Sequence, residues 1–329
     1  MKDETILLVT HSKDYFTIDH VLEAVSDLGY RPFRFNTDLF PLKLKLSLKL
    51  TGNNKELSFL DENGNASLNI NDIRAIWLRK IWMPIIDEDM DPVFRNGCIT
   101  ESRETLMIFL KELESAFWID SITHVKKAEN KFYQLRMANK AGLKIPKTLI
   151  SNNPEEVREF FHQVNGKMIA KLLTPLTISM AGNTPSVRTN RIQAEDLEDL
   201  ESLRYSPMAF QECIEKKYEL RIIYVDGELF TGAVDSRNTP GGETDWRASN
   251  PGTLKWEKFL VPEQVSSKIH EFMTRIGLHF GALDVILEPD GDYVFLEVNP
   301  TGEWGMLERD LGLPISKAIA RALVKGIKK

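Results

Sequence analysis

The run Gly281–Pro300, GALDVILEPDGDYVFLEVNP, decides how the rest of the chain is read. Its two apolar-rich halves flank Asp290-Gly291, a dipeptide suited to a two-residue hairpin turn, where both central residues must tolerate positive φ. If Pro289 and Asp292 close that turn, strand pairing sets Asp284 directly opposite Glu297. Alternation along the strand then puts Asn299 on the same face as Glu297. The opposite face collects Leu283, Val285, Leu287, Val294, Leu296 and Val298. Like charges facing each other across a hairpin destabilise it. Two carboxylates and an amide oxygen so arranged predict a bound cation, and hard oxygen donors suit Mg²⁺ or Mn²⁺. The alternative is an exposed antiparallel face with three solvated polar residues.

Working outward, the 329 residues suffice for two or three packed lobes. A net charge of −6 argues against bulk nucleic-acid binding. Two cysteines, Cys98 and Cys213, form neither a disulfide framework nor a CxxC metal pattern, so reduced thiols in a cytoplasmic protein are expected. The N-terminal MKDETILLVTH does not read as a signal peptide, and no segment has the length of a membrane span.

The chain opens as β-α-β. Thr5 to Val9 is a buried strand, Thr17 to Leu28 an amphipathic helix ended by Gly29, and Arg31 to Phe35 a second strand. No GxGxxG follows the first strand, which argues against a dinucleotide site. Leu42 to Leu50 alternates as a half-exposed strand, and Leu57 to Leu60 with Ala66 to Ile70 predicts a hairpin. Ile73 to Leu78 is a further strand, ending in Arg79 and Lys80. Asp87, Asp89 and Asp91 invite a calcium-loop reading, but Pro92 stands at the turn-glycine position and Cys98 at the bidentate glutamate. Residues 94–115 read as a helix, and Trp118-Ile119-Asp120 leads out of a first lobe. A second unit contains a helix over Ala128 to Ala141, an Asn153-Pro154 helix start and a strand, MIAKLL, with Lys171 in an apolar setting. Ala194 to Leu203 reads as a short helix with Leu197, Leu200 and Leu203 inward. A third unit holds Ala209 to Ile214, a hairpin turning at Asp226-Gly227, a Gly- and Pro-rich loop over Ser236 to Gly252, and an amphipathic helix over Pro262 to Ile276. The metal hairpin and a final helix from Pro314 complete it. The expected units are residues 1–120, 121–208 and 209–329.

Several other residues carry chemistry. An unpaired ammonium at Lys171 would be costly mid-strand, so it either snorkels to the edge or meets a phosphate. Lys131 begins a helix. The string QECIEKKYELR places Glu212, Cys213 and Ile214 before Glu219 and Arg221 on one strand face. Five acids between Glu195 and Glu201 repel one another at helical spacing, which leaves either a solvated face or a docking surface for a basic partner.

In this order, Lys131, Lys171, Glu212 to Ile214, Glu219, Arg221 and Asp284…Glu297-Val298-Asn299 resemble the ATP-grasp superfamily, over roughly residues 121–312. FRFNTDLFP, AIWLRK, NNPEEV, QECIEKKYELR, DWR and EVNPTGEW resemble the microviridin-type graspetide ligases nearly end to end. That resemblance implies an α/β protein of mixed α+β lobes: an N-terminal pre-ATP-grasp βαβ lobe, a central lobe and a C-terminal grasp lobe. It implies Lys131 and Lys171 on ATP phosphates, Glu212, Cys213 and Ile214 at adenine, and Glu219 at ribose. Asp284, Glu297 and Asn299 would hold Mg²⁺ or Mn²⁺, with Arg221 and Arg237 stabilising an acyl phosphate. Glu195, Asp196 and Asp199 would dock the helical leader of a ribosomal precursor peptide. The implied activity is ATP-dependent macrocyclisation in a cytoplasmic homodimer. A lysine amine would attack an activated Glu or Asp side chain, in keeping with the lactam-forming branch. A lactone-forming relative, a glutamate-adding or dipeptide ligase, and a nucleotide-binding regulator without turnover are the alternatives.

Overall fold

Six consecutive buried residues, TILLVT, make β1 (Thr5–Thr10) a central strand with both faces covered. The structure, a computed structural model, describes residues 4–60, 70–173, 189–237 and 254–328. Helix α1 (Phe16–Asp27) returns the chain to β2 (Arg31–Asn36), which pairs parallel with β1. An outlying hairpin, β3 (Lys45–Thr51) with β4 (Asn54–Leu60), precedes β5 (Ile73–Leu78), α2 (Pro92–Lys111) and β6 (Phe117–Ile119). The sheet order is β2-β1-β5-β6, all parallel. Ile6 and Leu8 pack on one face with α1, while Leu7 and Val9 pack on the other with α2 and Phe59 of β4. The hairpin expected between Leu57–Leu60 and Ala66–Ile70 is not the one formed: β4 pairs back onto β3, and residues 61–69 lie outside the described residues.

The helix expected over Ala128 to Ala141 forms as α4 (Lys131–Lys140), starting three residues later, and a separate helix, α3 (Ile122–Ala128), precedes it. Asn130 breaks them apart because its side chain accepts from Tyr133 N and caps α4. Lys131 thereby becomes the first residue of α4. The central sheet, ordered β7-β10-β8-β9, is built from β7 (Thr148–Ser151), β8 (Met168–Lys171), β9 (Asn190–Ile192) and β10 (Met208–Glu212). Helix α5 (Pro154–Gln163), capped by Asn153 as expected, covers it through Val157 and Phe160. The acidic segment corrects the sequence reading. Instead of an α-helix it forms two 3₁₀ segments, Glu195–Asp199 and Glu201–Tyr205, meeting at Leu200. Leu200 and Leu203 are buried and Leu197 packs beside them, so the inward set is the expected one. The tighter 3₁₀ turn eclipses i and i+3, bringing Asp196 and Asp199 onto one edge. Short, acid-rich and without an N-cap bond, the segment gains too little from i→i+4 bonding to hold an α-helix.

The third sheet runs β13-β12-β11-β14-β15, from β11 (Tyr218–Val225), β12 (Glu228–Val234), β13 (Glu257–Lys258), β14 (Phe280–Leu287) and β15 (Tyr293–Asn299). Leu220, Ile222, Leu283, Val285 and Phe295 form one face, covered by α4 and α6 (Glu263–Ile276). After α7 (Gly305–Leu311), α8 (Ile315–Ile327) packs between the other face of this sheet and the first sheet. Its expected inward residues Ile315, Ala318, Ile319, Ala322 and Leu323 join the core of the first sheet and α1. No helix among the described residues is long and apolar enough to cross a membrane.

The hairpin departs from expectation twice, and the departures cancel. The loop is three residues, Pro289 to Gly291: Glu288 N donates to Asp292 O at 2.9 Å, and Gly291 has φ +98°. That shifts the register by one at Val285↔Phe295. Leu296 then bulges as an extra residue, and Asp284↔Glu297 is restored. Phe295 thus takes the core place predicted for Leu296, and Val294, opposite Ile286, lies on the face of Asp284 rather than on the core face.

Asp120 ties the first lobe to β14. Its carboxylate accepts from His279 N at 2.8 Å and Phe280 N at 2.9 Å. Burial pushes this carboxyl up to about 7 against the pull of both N–H groups. Over the interval from its usual value to about 7, the folded protein keeps a proton that the unfolded chain releases. The group's contribution to stability therefore declines as pH rises through that window and is level above it. Asp120→Asn is expected to remove that slope: the Tm difference, wild type minus variant, falls between roughly pH 4.5 and 8. A pH-independent difference would overturn it.

Candidate nucleotide and metal site

The second face of the third sheet is divided. At one end Ile223, Val225, Phe280 and Ala282 join the core beneath Trp304. At the other end the apolar pattern stops, and a row of partners crosses four strands in register: Gly232, Arg221, Asp284 and Glu297. Cross-strand partners share a face. Sequence reasoning put Asp284, Glu297 and Asn299 on one hairpin face and named Arg221 apart from them; the ladder sets Arg221 beside Asp284. Arg221 Nη1 donates to Asp284 Oδ1 at 2.8 Å, and both side chains are buried. Its Nη2 and Nε donate to the Glu303 carbonyl at 2.9 and 3.3 Å. Asn299 Nδ2 donates to Glu297 Oε1 at 3.4 Å, which turns the amide oxygen outward.

Lys131 reaches this row through α4. Gln134, one turn on, is buried and clasps the edge of β15: its Nε2 donates to Val298 O at 2.8 Å and its Oε1 accepts from Val298 N at 2.9 Å. Positions i and i+3 share a helix face. Lys131 Nζ is accordingly held 3.0 Å from Glu297 Oε2. Each acid of the row therefore already faces a cation from this chain. Two carboxylates and an amide oxygen on one rigid hairpin face fit a hard divalent cation, with open directions for phosphate oxygens and water.

The next row inward holds Val234, Glu219, Ile286 and Val294. Glu219 pairs with Lys216 Nζ at 2.8 Å and accepts from Ser236 Oγ. Glu212, Cys213 and Ile214 form the passage from the central sheet to β11. Glu212 N donates to Lys147 O and Cys213 N to Lys167 O, at 2.9 and 2.8 Å. Lys171 ends β8, where its Nζ donates to Gln211 Oε1 at 2.8 Å; Gln211 in turn donates to Thr148 Oγ1 at 2.9 Å. The central-lobe lysine thus sits on the sheet that the Glu212–Ile214 passage leaves.

Arg237 follows β12 and is exposed. It clamps Asp235 through Nε at 2.9 Å and Nη2 at 2.7 Å, and these bonds pull the Asp235 carboxyl down to about 2. Residues 238–253, including Asp245, Trp246 and Arg247, lie outside the described residues. Glu195, Asp196 and Asp199 are exposed on the central lobe, and the Asp196 carboxylate accepts from Gln193 N at 2.8 Å.

Sequence reasoning passed over Lys216, Arg79, Gly302 and Glu303, which build the site. Lys216 stands three before Glu219 in a run read only for its acids. Arg79, 1% exposed, reaches from the end of β5 to Thr301 O at 2.9 Å and to the Glu303 carboxylate. Gly302 lets the loop close. A β-carbon there would meet Ala282 Cβ at 2.5 Å and both Arg221 Nη2 and Asn299 Cβ at 2.9 Å. The signal available was TGEW directly after the metal hairpin, and RK after an apolar strand.

Comparison with known proteins agrees with this geometry. Residues 5–126 match the family described as MvdD pre-ATP grasp domain, and residues 128–323 match the RimK-like ATP-grasp domain. Macrocyclase MdnC of Microcystis aeruginosa MRC, solved with precursor peptide MdnA, is 36% identical, covers 98% of this chain and 99% of its own, and superposes with a TM-score of 0.86. MdnB of the same organism is 44% identical at the same coverage, with a TM-score of 0.80. A RiPP-associated ATP-grasp ligase of Chryseobacterium gregarium, solved with ADP and a leader and core peptide, is 34% identical over 98% of this chain and 97% of its own, with a TM-score of 0.90. This chain is an ATP-dependent carboxylate–amine ligase of the RimK-like ATP-grasp family, and within it a member of the microviridin-type graspetide ligases.

Proposed function

We propose that the enzyme closes lactam rings in a ribosomal precursor peptide, joining a Glu or Asp side-chain carboxylate to a Lys side-chain amine. The observation that carries this reading is the in-register row Arg221–Asp284–Glu297, with Lys131 and Asn299 converging on Glu297. Free carboxylates are poor electrophiles. A carboxylate oxygen of the peptide attacks the ATP γ-phosphorus and expels ADP, giving an acyl phosphate. The amine nitrogen then bonds to the carbonyl carbon, phosphate departs with the C–O electron pair, and the peptide has lost one water per ring. Asp284, Glu297 and Asn299 would hold Mg²⁺ or Mn²⁺, which neutralises charge on the transferring phosphoryl oxygens. Arg221, fixed by three N–H bonds to two partners, holds charge opposite the acyl phosphate in a site that need not reorganise. Arg237 is assigned the same task from the loop side, where it would exchange Asp235 for substrate. Lys131 and Lys171 take the nucleotide phosphates, Glu212 to Ile214 the adenine and Glu219 the ribose. The units divide at residues 120 and 208. The working form is a cytoplasmic homodimer, which would cover Val93 and Phe94, exposed on α2.

Mass spectrometry of a precursor peptide incubated with enzyme, ATP and Mg²⁺ tests the reading. One water lost per ring, one ADP per ring and a base-stable amide are expected. A base-labile ester would move the chain to the lactone-forming branch, and ADP release without ring closure would remove the macrocyclase assignment. Lys171→Ala should weaken nucleotide binding by about tenfold or more in calorimetry, as loss of a charge-assisted phosphate contact would. Unchanged affinity would leave Lys171 a structural residue of the central sheet, bonded to Gln211.

The exposed edge bearing Glu195, Asp196 and Asp199 is assigned to the helical leader. An arginine from the leader would relieve their repulsion and gain charge-assisted bonds. Asp199→Ala should weaken leader binding in fluorescence anisotropy by about fivefold at low salt and less at high salt, with nucleotide affinity as control. Leader binding insensitive to both Asp196→Ala and Asp199→Ala would leave the edge a solvated face.

A further inference from the structure

Parallel strands present ligands at their carboxyl ends, and here those ends face the loop that follows the metal hairpin. Glu303 is the joint. Its carbonyl holds Arg221, while its carboxylate takes Arg79 Nη2 and lies 3.4 Å from Lys80 Nζ. Around it stand two aromatic side chains with large exposed areas, Tyr15 at 55% and Trp82 at 48%. Lys80 Nζ lies 5.6 Å from the centroid of the Trp82 ring. Beneath Trp82 the His11 ring stacks at 4.5 Å.

Three features give this shelf a chemical preference. A lysine ammonium already rests on it, between a carboxylate and an indole face, which is the combination that holds alkylammonium groups. Its carboxylates are Asp14, Asp38 and Glu303, and of its cations Arg79 and Arg34 are held by carbonyls, which leaves Lys80 as the one on the Trp82 ring. Arg79 bonds Thr301 O and Glu303, and its Nε, 3.7 Å from Asp14, is enclosed, so burial keeps the guanidinium from an incoming carboxylate. Burial alone would raise the Glu303 carboxyl, but Arg79 and then Lys80 outweigh it and keep it ionised.

We infer that Glu303, Trp82 and Tyr15 form the subsite that receives the attacking lysine side chain of the peptide, with Lys80 occupying it until the peptide arrives. The subsite adjoins the metal-face row through the Glu303–Arg221 contact, so an ammonium held there is delivered beside the acyl phosphate. This inference rests on the lactam reading.

The test uses the full-length enzyme with ATP, Mg²⁺ and a synthetic precursor peptide carrying a leader and a core with glutamate and lysine. Two products are measured together: the lactam, and the hydroxamate formed when added hydroxylamine intercepts the acyl phosphate. Hydroxylamine is a small neutral nucleophile with no alkylammonium to bind. For Glu303→Gln and for Trp82→Leu, the lactam-to-hydroxamate ratio is expected to fall about tenfold, with Trp82→Phe close to wild type. Trp82 and Tyr15 are surface residues, so Trp82→Leu and Tyr15→Leu carry the test if Glu303→Gln folds poorly. A wild-type ratio in these variants, including a parallel fall of both products, overturns the subsite while the lactam reading stands. Hydroxamate without any amide from the wild-type enzyme overturns the lactam reading and the subsite with it.

Discussion

Glu297→Gln is expected to lower ring formation at least about a hundredfold while Tm stays within a few degrees of wild type. The substitution keeps shape and volume, and Glu297 lies on the face of β15 away from the core formed by Phe295 and Val298. What changes is charge. The carboxylate answers Lys131 at 3.0 Å and accepts from Asn299, so glutamine leaves Lys131 without its counter-ion and offers a divalent cation one neutral oxygen. Metal affinity falls when a ligand's surroundings are disturbed, and more when the ligand itself loses its charge. Raising Mg²⁺ or substituting Mn²⁺ should recover part of the activity, a response that a folding defect would not give. Wild-type turnover by Glu297→Gln would remove the residue from the metal site.

The hairpin shows how far sequence reasoning reached and why. The expected pairing of Asp284 with Glu297 forms, although the turn and the strand each hold one residue more than a regular hairpin. Alternation is a local rule and sees neither insertion. Their sum is even, so Asp284, Glu297 and Asn299 kept one face, and the exchange of environments is confined to Tyr293, Val294, Phe295 and Leu296. Amphipathic helices with strong boundaries were legible: α5 by Asn153-Pro154, α6 by its terminal glycine, α8 by its small-residue face. Helix α4 was separated from α3 by a cap that looked like one more polar residue in a helical run. The acidic segment failed for an energetic reason, because apolar spacing alone does not choose between 3₁₀ and α geometry over so few residues. Arg79 and Glu303 escaped for a topological one. They lie 224 positions apart, and nothing local announces that the end of β5 meets the loop after β15.

Arg221→Lys is expected to fold and to lose at least about a hundredfold in ring formation, because guanidinium and ammonium are not interchangeable here. Arg221 spends one N–H on Asp284 and two on the Glu303 carbonyl, so one planar group fixes both the metal face and the loop. Lysine can answer the Asp284 charge, but as a point donor it cannot hold both partners in one plane. Arg221→Ala removes the counter-charge altogether, and breaking a buried pair in this way costs about 3–5 kcal/mol. Stability and chemistry would therefore part company between the two variants. Arg221→Ala should melt markedly lower, whereas Arg221→Lys should melt near wild type and still turn over slowly. Gly302→Ala approaches the same group from the other side. Its added carbon would sit 2.9 Å from Arg221 Nη2 and 2.5 Å from Ala282 Cβ, so the loop must retreat and take the Glu303 carbonyl with it. Its loss of rate should resemble that of Arg221→Lys, and the double variant should lose little more than either single one, since both act on the same contact. Thermal melts and single-turnover ring formation on the three variants test this. Additive losses in the double variant would mean that Gly302 and Arg221 act separately, and near-wild-type turnover by Arg221→Lys would mean that charge alone, without the Glu303 anchor, suffices at this position.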